Sequence, residues 1–145
     1  MKITIQECEK DEEEEVILRC KNVDRDILKL IYALRAKREK MTVWKNEKVY
    51  QVLPQEIFYF ESVDNHVFAY LEQDVCEVKK KLYELEQDFA HTDFFRASKS
   101  TIINLEKVEY LSPGFHGRFE AAMKNGERLV ISRQYVSDLK RRLGV

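Results

Sequence analysis

The chain has 145 residues, 44% of them hydrophobic and 35% charged, with a formal net charge of −1; that suits one domain, or one domain with a small appendage. No apolar run is long enough to span a membrane, and the polar, acidic amino terminus contains no signal peptide. The three cysteines (Cys8, Cys20 and Cys76) are odd in number, far apart and without a C-x-x-C pair, which argues against a disulfide framework or a zinc site and for a soluble protein of the reducing cytoplasm.

The charge is unevenly spread. Residues 1–15 hold two lysines against seven acids, a net of −5, so the remaining chain carries +4. An acidic front and a basic rear are compatible with nucleic-acid binding without establishing it.

In chain order, residues 2–6 alternate Ile3 and Ile5 with polar side chains and predict a strand. The acidic run 7–15 reads as a solvated loop, and residues 16–20 predict a second strand. Asp24 fits a helix N-cap, with Asp26 in the first turn where the macrodipole favours an anion. Ile27, Leu30, Ile31 and Leu34 then recur at helical spacing, with Arg35, Lys37 and Arg38 toward the end of that helix. This strand–strand–helix unit, residues 1–40, is too small to bury much surface alone and should dock on the rest of the protein or on a second copy.

From residue 41 the pattern becomes β. Residues 41–44 and 48–52 flank Lys45-Asn46-Glu47 as a hairpin, and Pro54 punctuates. Residues 57–60 and 67–71 flank a second turn, Val63-Asp64-Asn65-His66, whose Asp and Asn can bond their own backbone. Residues 75–89 return to helical spacing, with Val78, Leu82, Leu85 and Phe89 on one face and Lys79, Lys80 and Lys81 toward solvent. In residues 94–104, a polar cluster of Arg96, Ser98, Lys99 and Ser100 lies between the anchors Phe94 and Phe95 and the pair Ile102 and Ile103. A strand over 108–111 follows, then a break at Pro113, Gly114 and Gly117. Residues 118–124 and 127–132 flank Asn125-Gly126, the strongest hairpin signal in the chain. A last helix over 134–143 turns Val136 and Leu139 inward and carries Lys140, Arg141 and Arg142 near its end.

Catalysis finds little support. His66, His91 and His116 are scattered, and there is no G-x-S-x-G elbow, Walker loop or G-x-G-x-x-G. Gly114-Phe-His-Gly117 reads as a plain turn. No catalytic residue, metal ligand, cofactor or small-molecule substrate is expected. Binding finds more support, in three turn-like segments: Asp64-Asn65-His66, Arg96 to Ser100, and Ser132-Arg133-Gln134. Asn and Gln pair bidentately with adenine, Arg and Lys with guanine, and Ser reaches phosphate oxygens. A β-rich protein presenting three such loops reads DNA without a recognition helix.

Three further features carry a family resemblance. Ile57-Phe-Tyr-Phe-Glu-Ser62 precedes the first turn. Phe95-Arg96, with Ser100 and Asn104, is similar to the signature F-x-R-x-x-x-S-x-x-V-N, Ile103 standing where Val is commoner. Asn125-Gly126, then Val130-Ile-Ser-Arg133 and Tyr135, resembles a closing N-G hairpin and S-R turn. In order and spacing, residues 41–145 resemble the LytTR DNA-binding domain of bacterial transcription regulators.

The resemblance implies an α+β fold, mostly antiparallel β: small sheets with short helices, whose loops enter successive grooves of double-stranded DNA. It places Asn65 or His66 in the first loop, Lys99 and Ser100 in the second and Arg133 in the third. Many members carry His at the position of Ser98, and the residue at Lys99 varies among them, so base specificity there does not carry over. Arg133 is the first choice for base readout and Lys99 the second; Gln134 lies beside them, and Asn104 reads as structural. For Arg96 the residues alone leave two roles open, holding the loop or touching phosphate.

Residues 1–40 are too few for a phospho-receiver, so the resemblance points to the subgroup with a short amino-terminal extension. It also implies a partner, a small membrane protein encoded nearby. The expectation is a sequence-specific transcription regulator acting as a homodimer on paired sites. The alternative is a protein-interaction or sensory module of the same fold that does not bind DNA.

Overall fold

The computed structural model describes residues 1–36 and 39–145. Among them the order is α1 (Arg25–Ala36), β1 (Met41–Lys45), β2 (Lys48–Val52), β3 (Tyr59–Val63), β4 (His66–Tyr70), β5 (Val75–Val78), α2 (Leu82–Asp88), β6 (Phe94–Arg96), β7 (Thr101–Asn104), β8 (Val108–Pro113), β9 (Phe119–Met123), β10 (Arg128–Ile131) and α3 (Arg133–Leu143). Every strand pairing is antiparallel. Seven strands form one sheet in the order β2-β1-β5-β4-β3-β7-β6, and three form a second in the order β10-β9-β8.

Period-2 alternation divides the core into two layers. Phe60, Phe94 and Ile102 point to one face of the large sheet, where Leu82, Leu85 and Phe89 of α2 and its end cover them. Their chain neighbours Tyr59, Phe95 and Ile103 point to the other face and pack with Ala121, Ile131 and Leu139 of the small sheet and α3. The large sheet is therefore buried between a short helix and the second sheet, which explains why its central strands are apolar at successive positions.

The hairpins follow their turn chemistry. Asn46 and Glu47 (φ 50° and 64°) and Asp64 and Asn65 (φ 50° and 66°) are two-residue turns with both positions left-handed. At Asn125-Gly126 the chain makes a longer turn: the Gly126 amide donates to the Met123 carbonyl at 2.9 Å, and Gly126 alone is left-handed, at φ 90°.

Two expectations are corrected. Residues 2–6 and 16–20 form no strand, and the first strand of the described residues is Met41–Lys45. The apolar alternation is present there, but among the described residues these segments join no ladder, and Ile3, Ile5, Val16 and Ile17 stay exposed. The helix expected over 75–89 begins only at Leu82. Cys76 and Val78 are buried with Glu77 between them, and these residues pair with β4 (Val67↔Val78, Ala69↔Cys76). The i, i+4 spacing of Val78 and Leu82 spans a strand end and a helix start, so one apolar series serves two elements.

The first helix starts as expected: the Ile27 amide donates to Asp24 Oδ1 at 3.0 Å. Ile27, Ile31 and Leu34 are half-buried, whereas Leu30 remains 44% exposed. Tyr32 stacks on His91 at a centroid distance of 5.1 Å, tying α1 to the end of the α2 segment. Arg35 lies in the last turn of α1; Lys37 and Arg38 lie outside the described residues.

Candidate nucleic-acid interface

Backbone hydrogen bonds assemble the three polar loops. The Ser62 amide donates to the Ser100 carbonyl at 2.8 Å, joining the β3–β4 hairpin to the β6–β7 loop. The Ser132 amide donates to the Ala97 carbonyl, also at 2.8 Å, joining the start of α3 to the other end of that loop. The β6–β7 loop thus sits between its two neighbours, and all three share one edge of the molecule.

The central loop is held from inside by Arg96. Its Nε donates to the Ser98 carbonyl at 2.6 Å, Nη2 to the Lys99 carbonyl at 2.7 Å, and Nη1 to Glu86 Oε2 of α2 at 2.8 Å. The side chain is only 17% exposed. Of the two roles open to Arg96, the geometry shows the first: its planar fork captures two carbonyls that the loop leaves free. Ser98 Oγ accepts from the Ser100 amide at 3.2 Å and lies 3.4 Å from Ser100 Oγ. Ala97 is fully buried and acts as the anchor, leaving Lys99 and Ser100 exposed at the tip.

Asn104 closes the far end of this hairpin. It is 1% exposed; its Nδ2 donates to the Ile57 carbonyl at 2.8 Å and its Oδ1 accepts from the Glu106 amide at 3.1 Å. The structural reading of Asn104 is thereby borne out. Arg142 of α3 lies over the Phe95 ring at 5.4 Å and donates to the Thr92 carbonyl at 2.8 Å, and burial pulls its guanidinium below its usual range.

In the first loop Asn65 is exposed at the hairpin tip, and His66 Nδ1 sits 3.0 Å from Glu77 Oε1. The third segment is not the loop expected: Ser132 is the N-cap of α3, and Arg133 and Gln134 are exposed in the first turn of that helix, because the chain enters α3 directly from β10. Among the described residues, no carboxylate lies within ion-pair distance of Lys99 or Arg133. Two unneutralised cations on tied loops suit phosphate oxygens and base edges.

A fourth segment, read from sequence as a plain turn, touches this edge. Gly117 is left-handed at φ 75°, and a Cβ added there would lie 2.9 Å from Arg133 Cδ and 3.0 Å from Cγ. The Arg133 stem therefore rests on the bare backbone of Gly117. The signal available in the sequence was the second glycine of Gly-Phe-His-Gly, but only the fold brings it to Arg133.

Residues 47–144 match the family model of the LytTr DNA-binding domain. The chain belongs to the LytTR family. A solved LytTr DNA-binding domain of a methyl-accepting/DNA response regulator from Bacillus cereus superposes with a TM-score of 0.71 at 26% identity, covering 74% of this chain and 99% of that one. The chain is also similar to the sensory transduction protein LytT of Bacillus subtilis, 27% identical over 137 residues, 93% of this chain and 57% of that protein. Its likeness to LytT of Enterococcus faecalis is 26% over 109 residues, 75% of this chain and 45% of that protein. An uncharacterized HTH-type transcriptional regulator of Staphylococcus aureus is 26% identical over 100 residues, 69% of this chain and 67% of that protein. The chain spans about half the length of the LytT relatives. The expected LytTR fold, antiparallel sheets with short helices, is borne out by the match in architecture. No helix among the described residues is long and apolar enough to cross a membrane.

Proposed function

We propose that this protein is a transcription regulator that binds double-stranded DNA sequence-specifically, using the polar segments at 64–66, 96–100 and 132–134, the last of them the start of α3. The observation that carries the reading is the pair of backbone hydrogen bonds, Ser62 to Ser100 and Ser132 to Ala97, which fixes the three loops as one surface. Fixed loops lose little entropy on binding and can hold register along a duplex. Arg133 is assigned base readout, Lys99 and Asn65 contacts in the flanking grooves, and Ser98, Ser100, His66 and Gln134 the backbone.

The protein acts as a homodimer on paired sites in the cytoplasm, with residues 1–40 as the docking segment. Supporting this are the exposed apolar side chains Ile17, Leu28 and Leu30, which residues 41–145 do not cover. The same uncovered segment is where a small membrane protein would attach, and it favours the second reading, an interaction module that does not bind DNA.

Salt separates the two readings. Selection from random duplexes with the full chain is expected to yield one motif, as paired half-sites. The affinity for it should fall by about 0.9 log unit per log unit of salt for each phosphate neutralised. Failure to enrich any motif, with no salt-dependent binding, would reject the DNA reading and leave the interaction module. A single half-site bound by a monomer would reject the dimer alone.

A further inference from the structure

The edge that carries Arg133 has an apolar side chain with no structural employment. Phe115 is 87% exposed, more than any other large hydrophobic residue between the start of β1 and the end of α3, and it belongs to neither core cluster. A single exposed aromatic is unremarkable on a protein surface; its setting is what matters here. The segment is closed by two hydrogen bonds, from the Gly114 amide to the Arg118 carbonyl at 2.8 Å and from the Arg118 amide to the Phe115 carbonyl at 3.1 Å. Within it His116 (φ 56°) and Gly117 (φ 75°) are both left-handed, an unfavourable conformation for the histidine that the closed loop imposes. The short turn that holds Phe115 out also supplies the Gly117 shelf under Arg133.

We propose that Phe115 is a fourth DNA-reading element, making apolar contact with the 5-methyl group of a thymine beside the base pair that Arg133 reads. The major groove is where both contacts are available: guanine offers O6 and N7 to an arginine, and thymine projects its methyl group from the same floor. Because the stem of Arg133 lies on Gly117, two residues from Phe115, the cation and the ring enter together and address adjacent base pairs. A phenyl ring has no donor or acceptor, so methyl contact is the discrimination it can supply. The inference rests on the DNA-binding reading of the Arg133 edge.

The test is a thymine-to-uracil scan of the selected site, in which each substitution removes one methyl group and no hydrogen bond. The full-length wild type is expected to lose about fourfold in affinity at one thymine next to the Arg133 base pair, the factor that burying one methyl group supplies. Phe115→Ala should bind the thymine and uracil forms of that site equally, and Phe115→Leu should keep part of the difference. Phe115 is exposed, so neither substitution disturbs the core. If wild type binds the site selectively but its scan matches that of Phe115→Ala at every position, the Phe115 proposal falls and the proposed function stands. If the wild type selects no site at all, the proposed function falls and takes this inference with it.

Discussion

The main-chain amide of Ser132 donates to the main-chain carbonyl of Ala97 at 2.8 Å, and this bond ties the small sheet's last turn to the large sheet's polar loop. Ala97 is fully buried, so the bond is shielded from water and fixes where α3 begins relative to Lys99. Arg133, the next residue after Ser132, inherits its position from this bond and from the Gly117 backbone beneath its stem. For the base readout proposed for Arg133 such anchoring matters, because small displacements of the donor pair abolish bidentate geometry.

Arg133→Ala is expected to cost about 1–3 kcal/mol on the selected site and to flatten discrimination at one base pair, read by comparing its selected motif with that of the wild type. Gly117→Ala should weaken discrimination at the same base pair, since the new methyl group meets Arg133 Cγ and Cδ. It should also lower stability by about 1–2 kcal/mol, the cost of a left-handed non-glycine residue. Equal losses by Arg133→Ala on selected and random DNA would reassign Arg133 to backbone positioning.

Arg96→Ala should destabilise the fold by about 2–3 kcal/mol in urea unfolding, because the Ser98 and Lys99 carbonyls lose a charged donor and Glu86 loses its partner. Arg96→Lys should recover little, since an ammonium cannot span both carbonyls. Both variants should weaken selected DNA more than random DNA, because they release Lys99, proposed to enter a groove, together with Ser100, proposed to meet the backbone. Unchanged stability with a loss confined to DNA would make Arg96 a direct contact.

Asn104→Ala is expected to cost about 2–3 kcal/mol, leaving the buried Ile57 carbonyl without its donor. Asn104→Asp should be worse at neutral pH, because it places a carboxylate against a carbonyl at a 1% exposed site. Thermal unfolding of the two variants ranks them; an Asp variant as stable as the wild type would overturn the argument.

Tyr59 predicts an alkaline edge to stability. Its hydroxyl donates to Glu127 Oε2 at 2.7 Å and its ring stacks on Tyr70 with centroids 4.2 Å apart. Burial first, then the bond to the Glu127 carboxylate, holds the phenol well above its ordinary value. Because the folded value is raised, the contribution is complete below the unfolded tyrosine value of about 10 and is lost as pH climbs above it. Tyr59→Phe should lose about 1 kcal/mol at neutral pH and show a shallower decline above about pH 10. Part of the decline should persist from Tyr70, which burial and Glu61 also hold high. Identical alkaline slopes in urea unfolding would remove Tyr59 as the cause.

Much of the fold could be read from local chemistry. Asp24 caps α1, Asn46-Glu47 and Asp64-Asn65 turn their hairpins, and Val136 and Leu139 face inward, because each depends on a residue's own conformational or burial preference. The failures came where a pattern needs a partner. Ile3 and Ile5 alternate like a strand but join no ladder among the described residues, and Val78 keeps helical spacing with Leu82 while lying in a ladder with β4.

For the candidate site, the sequence by itself determined only which residues to propose: Asn65, His66, the cluster from Arg96 to Ser100, Arg133 and Gln134. The tertiary structure decided their parts. It directed Arg96 inward to two carbonyls and a carboxylate, left Lys99 and Arg133 with no carboxylate partner among the described residues, and placed Gly117 and Phe115 at the same edge. The physical reason is that the bonds assembling the edge run between backbone amides and carbonyls, which every residue except proline's missing amide supplies alike. Side-chain identity reveals which groups could meet DNA; only the folded path of the main chain reveals which of them are free to do so.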